Sequence, residues 1–268
     1  MESNYIESPQ NTHVKNLVKL RDRKHRNRQD KFIIEGLREI EHAIESDYPV
    51  ITLYYCPELF PSELHAQFLE TLQNDSQLQL IRMHSSAFSK SSYREGPDGL
   101  IALSEAKDAS LSTLKLKEDS TILVLEGIEK PGNLGAIIRS AEGAGVDAIL
   151  MNNCLLDAYN PNAIRASQGI VFRLPIIHVE SDYLCQWLKD HQFISVATTP
   201  NTDNCYSKQS YTHRTALLMG SESHGLSEKW LNQADILINI PMKGYADSLN
   251  VSVATAICLY EINRQKSL

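Results

Sequence analysis

The sequence lacks any apolar run long enough to cross a membrane. None of its 268 residues belongs to a stretch of about 18 uncharged apolar residues. The N-terminus, MESNYIESPQNTH, also lacks the basic start and the apolar stretch of a secretory signal. We therefore expect a cytoplasmic protein that does not act in a membrane.

Cysteine is scarce, and the spacing of the cysteines suggests no disulfide pairs. The five cysteines are scattered and never spaced as CxxC, which argues against a disulfide framework and a structural zinc site, so we expect no metal. Phosphate-binding glycine loops are absent too: neither GxGxxG nor a loop ending in GK[ST] occurs. A dinucleotide-dependent oxidoreductase is thus a disfavoured alternative.

The composition is that of a folded protein with a sizeable core. Hydrophobic residues make up 42% of the chain and charged residues 22%. Chains that stay disordered lack this apolar content. The length suggests one large domain or two ordinary ones.

Positive charge is concentrated near the N-terminus. The chain has a net charge of −7, yet residues 13–38 hold nine basic and three acidic residues, a local charge of +6. A local cluster sets the field that a phosphate backbone experiences. Taken alone, this segment is typical of a solvated helix face, and an arm that binds nucleic acid is the alternative. The candidate contacts are Lys19, Arg21, Arg23, Lys24, Arg26 and Arg28.

The pattern predicts two α/β domains. A disordered tail is expected over 1–12, a small α/β domain over 13–104 and a polar linker over 105–120. In the small domain we expect a basic helix over 17–28, a further helix over 64–73 and strands over 31–34, 50–55, 78–83 and 100–103.

From residue 121 to 268, continuous apolar strands alternate with helices. This rhythm predicts a mainly parallel sheet covered on both faces. Ligands of such sheets bind beyond the carboxyl ends of the strands. The loops that follow the strands are therefore the place to look for chemistry.

Three of these loops carry polar side chains. Asn133 follows TILVLEGI, and Glu222 follows TALLMG between two glycines. After ILINIPM come Ser248 and Asn250. Each has a structural alternative, since amides and hydroxyls cap helices and glycines make turns. Arg139 is equally explained as a surface charge.

Taken together, the loops resemble a known family. NLGAIIRSAEGAG, LMGSESHGL and IPMKGYADSLNVSVATAI are similar to the three ordered motifs of the SpoU/TrmH branch of the SPOUT RNA methyltransferases. The N-terminal region resembles, more loosely, the ribosomal-protein-like substrate-binding domain attached to many of these enzymes. The resemblance implies a trefoil knot in the C-terminal domain and a homodimer.

The resemblance also implies a reaction: methyl transfer from S-adenosylmethionine to a ribose 2′-hydroxyl, most readily in ribosomal RNA. Transfer RNA and a catalytically silent RNA-binding protein of the same fold are the alternatives. The implied catalytic residues are Arg139, Asn133, Glu222, Ser248 and Asn250, and the implied cofactor contacts are Gly220, Ile240, Met242 and Leu249. Because an arginine stays protonated, we expect Arg139 to orient the substrate more than to act as a base.

Overall fold

A computed structural model describes residues 5–73, 76–107, 109–211 and 213–267 of the chain. It divides into two compact units. The first unit comprises Met1–Asp108 and Tyr159–Arg173, and the second comprises Ala109–Ala158 and Leu174–Leu268. Within the described ranges, no helix is long and apolar enough to span a membrane.

The first unit is built on a five-stranded mixed sheet. Its spatial order is β1-β4-β3-β5-β2, with β1 and β3 parallel to β4 and both neighbours of β5 antiparallel to it. The strands are β1 Tyr5–Ile6, β2 Lys31–Glu35, β3 Val50–Tyr55, β4 Gln79–Met83 and β5 Leu100–Glu105. The helices are α1 Thr12–Lys19, α2 Arg23–Gln29, α3 Leu37–Glu45, α4 Glu63–Leu72 and α5 Ser85–Ser91.

The second unit contains a six-stranded, all-parallel sheet of order β11-β9-β10-β6-β7-β8. The strands are β6 Thr121–Glu126, β7 Ala148–Asn152, β8 Ile176–His178, β9 Ile194–Thr198, β10 Thr215–Met219 and β11 Ile236–Ile238. The remaining helices of the chain are α6 Pro131–Gly143, α7 Pro161–Ser167, α8 Ser181–Asp190, α9 Glu228–Gln233 and α10 Val251–Lys266, of which α7 lies in the first unit.

The strand order places the predicted loops together. The chain runs outward from β6 through β7 to β8, then returns to the other side of β6 with β9, β10 and β11. Neighbouring β6 and β10 therefore mark the point where the winding direction reverses, which is where open parallel sheets leave a crevice for ligands. The predicted α/β class with a parallel C-terminal sheet is confirmed; the trefoil knot stays a prediction.

One segment departs from the predicted organisation. The sequence assigned all of 121–268 to one domain, whereas residues 159–173 pack with the first unit. The ring of Tyr159 stacks on Phe32 of β2, with 4.1 Å between ring centroids. Arg38 of α3 donates a hydrogen bond of 3.0 Å to Gln168. The first unit is therefore completed by chain that follows β7.

Three local predictions need correction. The single basic helix over 17–28 is wrong: α1 ends at Lys19, and Asp22 starts α2 by accepting a 2.7 Å hydrogen bond from the backbone nitrogen of Lys24. An aspartate in this position is a strong helix start. The predicted disordered tail instead forms β1 at residues 5 and 6, with residues 1–4 outside the described ranges. In the predicted linker, Leu111 is buried in the core of the second unit.

Candidate active site

A large cavity opens in the second unit at the carboxyl ends of β6, β9, β10 and β11. Its volume is about 750 Å³, within the range of small-molecule sites. Eight of the nine predicted catalytic and cofactor residues line it: Asn133, Gly220, Glu222, Ile240, Met242, Ser248, Leu249 and Asn250. The ninth, Arg139, does not.

A chain of hydrogen bonds joins the three loops across the cavity. The side-chain amide of Asn133 donates to a carboxylate oxygen of Glu222 at 2.5 Å. The amide of Asn250 donates to the side-chain oxygen of Asn133 at 3.2 Å. Because a carboxylate only accepts, Glu222 determines which way both amides point. One polar residue from each loop thus belongs to a single network.

The helix-capping alternatives are resolved by these contacts. Asn133 is not the cap of α6, since that helix begins with Lys130 at its N-cap and Pro131 after it. Asn250 does cap α10: its side-chain oxygen accepts hydrogen bonds from the backbone and hydroxyl of Ser252, at 2.9 and 2.7 Å. Asn250 therefore both starts α10 and joins the cavity network. Ser248 is exposed and lines the cavity without capping the helix.

Gly220 is required by the path of the backbone. A Cβ atom there would lie 2.0 Å from the carbonyl carbon of Gly225, an impossible approach. Reciprocal backbone hydrogen bonds of 3.1 and 3.0 Å between Ser221 and Gly225 close this turn. The turn explanation for the glycines is therefore correct, and the same turn brings Glu222 to the cavity wall.

The lining suits a ligand that is part apolar and part polar. Met219, Ile238 and Leu231 contribute apolar side chains, and the first two are well shielded from solvent. Thr198, the last residue of β9, and Asn201, in the loop after β9, add polar groups. Apolar walls that bury a purine, with a few polar groups for orientation, fit the chemistry of S-adenosylmethionine.

The loop after β9 escaped the sequence analysis. Thr199, Pro200 and Asn201 line the cavity together with Thr198, the last residue of β9, and none of them belongs to the three motifs. The sequence did contain a signal for this loop. FISVAT is a predicted strand, and the carboxyl end of that strand should lie at the same edge of the sheet as the other three. Only the strand order reveals that β9 lies beside both β10 and β11.

Two further residues, Lys130 and His224, also line the cavity. Lys130 precedes α6, and His224 lies inside the second loop. The His224 ring nitrogen Nδ1 is 2.7 Å from the hydroxyl of Ser223. Lys130 and His224 therefore both form part of the cavity wall.

Arg139 lies elsewhere on α6. Its side chain is exposed, and it is six residues after Asn133. At 3.6 residues per turn, six residues rotate a side chain by about 240°, so the two side chains leave the helix in different directions. The cavity therefore lacks one member of the predicted catalytic set, Arg139.

The basic segment of the first unit divides into structural and exposed members. Arg26 is 4% exposed, and its guanidinium donates to the backbone oxygens of Leu20 and Arg21 at 3.0 and 2.7 Å. The guanidinium of Arg21 donates to three carbonyl oxygens at the end of α5. A buried side chain cannot meet a phosphate, so Arg26 is removed from the predicted RNA contacts. Lys19, Lys24 and Arg28 are exposed, and Arg23 is half-buried.

Comparison with known proteins identifies the family of the chain. Residues 120–260 match the SpoU rRNA Methylase family, more than half of the chain. The chain belongs to the SpoU rRNA methylase family. Residues 11–102 match the MRM3-like substrate binding domain, which confirms the predicted character of the N-terminal region.

Individual relatives cover nearly the whole length. A 23S rRNA (uridine(2479)-2′-O)-methyltransferase of Streptomyces viridochromogenes is 30% identical over 92% of this chain and 87% of its own. The 23S rRNA (guanosine(2553)-2′-O)-methyltransferase RlmP of Bacillus subtilis (strain 168) is 29% identical over 96% and 98%. The crystal structure of the SpoU methyltransferase AviRb from S. viridochromogenes, in complex with the cofactor AdoMet, is 29% identical with a TM-score of 0.88, covering 96% of this chain and 99% of that chain.

Proposed function

We propose that this protein is an S-adenosylmethionine-dependent methyltransferase that acts on a ribose 2′-hydroxyl of ribosomal RNA. One observation carries the proposal: Asn133, Glu222 and Asn250, from three separate loops, form one hydrogen-bonded network on the wall of one cavity. The relatives that match the chain over most of its length are named as 23S rRNA 2′-O-methyltransferases. Ribosomal RNA is therefore preferred to transfer RNA.

The residues present fit the methyl donor. Gly220, Ile240, Met242 and Leu249 would hold it, through backbone groups at the glycine turn and apolar side chains around the purine. When bound, S-adenosylmethionine supplies a methyl group on a sulfonium, which is already a good leaving group.

The chain's own residues then have a positioning task. The Glu222 carboxylate holds the Asn133 amide, and Asn133 in turn accepts from Asn250, so the three loops cannot drift apart without losing hydrogen bonds. Alignment of the hydroxyl with the methyl group is the main requirement of such a transfer. Ser248, exposed on the same wall, is placed to hydrogen-bond the ribose.

We further propose that the active form is a homodimer in which a second copy supplies Arg139. The exposed position of Arg139, away from the cavity lining of its own chain, supports this. Tyr260 and Val253 of α10 are 52% and 47% exposed, which leaves apolar surface for a partner to cover. As a permanent cation, Arg139 would orient the phosphate or hydroxyl of the substrate.

Substrate RNA is proposed to contact the exposed cations Lys19, Lys24 and Arg28. Each phosphate that they neutralise adds to the salt dependence of binding. Because the proposed substrate is ribosomal RNA, we propose that the protein acts in the cytoplasm.

The central experiment measures transfer of radiolabelled methyl groups to ribosomal RNA from cells that lack the gene. We expect incorporation into 23S RNA at a ribose, with transfer RNA as the comparison substrate. Glu222→Ala should abolish incorporation, whereas Tyr183→Ala, at an exposed tyrosine of α8, should not. Binding of S-adenosylmethionine without any transfer would instead favour the silent RNA-binding alternative, and calorimetric binding of NAD alone would favour an oxidoreductase.

The dimer proposal has its own test. Arg139→Ala and Glu222→Ala are each expected to be inactive as pure proteins. If a second copy supplies the arginine, a refolded mixture recovers part of the activity, because some mixed dimers contain one complete site. No recovery, or a monomer in sedimentation equilibrium, contradicts the proposal.

A further inference from the structure

The first unit carries an exposed aromatic ring beside Arg21 of the basic segment. Tyr93 follows α5 and is 38% exposed. Around it lie Arg21, Asn162 and Arg165, and we name these four residues the Tyr93 platform. All four belong to the first unit, although Asn162 and Arg165 come from α7, far along the chain.

Hydrogen bonds to its backbone and to its hydroxyl hold Tyr93 in place. The buried carboxylate of Glu35 accepts hydrogen bonds from the backbone nitrogen of Tyr93, at 2.8 Å, and from the hydroxyl of Ser92. At the other end, the Tyr93 hydroxyl accepts a 2.6 Å hydrogen bond from the side-chain amide of Asn162. A group that is already fixed loses little conformational entropy when a ligand binds to it.

Two arginines lie beside the ring. The guanidinium carbon of Arg21 lies 5.9 Å from the ring centroid, and that guanidinium is itself held by the carbonyl of Ser92 at 2.6 Å. Arg165 is exposed, lines the narrow cleft beside Tyr93, and has no hydrogen bond or ion pair from its guanidinium within the part of the chain that is described. Lys90, in the last turn of α5, is exposed as well.

Three of the four acidic groups near the platform are already engaged. Glu35 is satisfied by the loop it holds, and Arg94 pairs with Glu39 at 2.8 Å and with Asp98 at 3.5 Å. Glu95, exposed on the same loop, is the remaining acid there. The platform therefore presents an aromatic ring in a basic setting.

We propose that the Tyr93 platform binds an unpaired nucleotide of the RNA substrate, with its base stacked on the ring of Tyr93 and its phosphate paired with Arg165. Every base has a face that stacks on an aromatic ring, and arginine is the preferred partner of phosphate. A protein partner fits less well, because Tyr93 is the sole large exposed apolar side chain in the described residues of 85–99 and 159–173. An interface core needs a wider apolar patch.

The inference rests on the proposed function, and its test separates the two. The probe is a short single-stranded RNA that carries one 2-aminopurine, whose fluorescence falls when the base stacks. Tyr93→Ala should remove the quenching and weaken binding about 5- to 150-fold, the range for loss of one stacked base. Tyr93→Phe keeps the ring and should stay within about twofold of the wild type, a small change because only one hydrogen bond is lost.

Charge is tested separately at Arg165. Arg165→Gln should weaken binding and reduce the slope of log affinity against log salt concentration by about one phosphate contact, while Tyr93→Ala leaves that slope unchanged. Tyr183→Ala, at a 62% exposed tyrosine of the second unit, is the matched control and should bind the probe normally. Affinity for S-adenosylmethionine should be the same in all variants.

Two results would overturn the platform. If Tyr93→Ala binds and quenches the probe as the wild type does, the ring is not a nucleotide site and a protein contact becomes the better explanation. If Tyr183→Ala loses as much affinity, stacking at Tyr93 is not specific. Should Tyr93→Ala fold poorly in urea titration, Tyr93→Leu keeps the apolar bulk without the aromatic face and is expected to show the same loss. If the wild type binds and stacks the probe but methylates no RNA, the proposed function fails and the platform stands.

Discussion

Replacing Asn133 with aspartate should break the network that joins the three loops. In the wild type, the Asn133 amide donates to the Glu222 carboxylate at 2.5 Å. An aspartate has no such donor and brings a second negative charge to the same place. Two unit charges about 3 Å apart repel by about 1.4 kcal/mol even at the dielectric constant of water, and a hydrogen bond to a charged group is lost as well.

The site is solvent-exposed, so we take the lower end of these terms. We expect Asn133→Asp to lose about 3 kcal/mol, which is about 150-fold in kcat/KM and in affinity for S-adenosylmethionine. Glu222→Gln alone should be mild, since its carbonyl oxygen still accepts the amide. Like charge raises the pKa of the new carboxylate pair, so the aspartate variant should recover part of its affinity as the pH falls.

The double variant Asn133→Asp with Glu222→Gln restores the pairing with its direction reversed. The glutamine amide donates to the aspartate, whose other oxygen still accepts from Asn250. Calorimetry should therefore show the double variant binding S-adenosylmethionine more tightly than the single aspartate variant. If the double variant binds no better than that single variant, the network does not order the cavity and the reasoning is refuted. Restored binding without restored methyl transfer would assign the Glu222 charge to the reaction itself.

Three further predictions concern stability and reactivity. Gly220→Ala should abolish binding of S-adenosylmethionine, because a Cβ has no room against the backbone of the turn, and circular dichroism should show the second unit otherwise folded. Arg26→Ala should lower the free energy of unfolding by about 2–4 kcal/mol in urea titration, because one buried and one part-buried carbonyl lose a charged donor. The exposed Lys24→Ala should leave that free energy unchanged and instead weaken RNA binding and reduce its salt dependence. Alkylation near neutral pH should modify Cys205 before Cys258, since hydrogen bonds lower the pKa of the first thiol and burial raises that of the second to about 12; mass spectrometry showing the reverse order would contradict this.

The local pattern determined much of the second unit. Continuous apolar runs with helices between them are enough to require a parallel sheet, since only such a sheet hides both faces of its strands. Asn133, Glu222 and Asn250 were singled out because each lies in a segment that follows a strand, and the resemblance of the three segments to one family supplied their expected roles.

The tertiary structure decided what depends on distant parts of the chain. No periodicity could assign residues 159–173 to the first unit, because the contact of Tyr159 with Phe32 joins positions more than a hundred residues apart. The same holds for charge: sequence counts Arg26 and Lys24 alike, yet one guanidinium is buried on carbonyls while the other cation faces solvent. Composition records which groups a chain carries, and only packing determines which of them water, or an RNA phosphate, can reach.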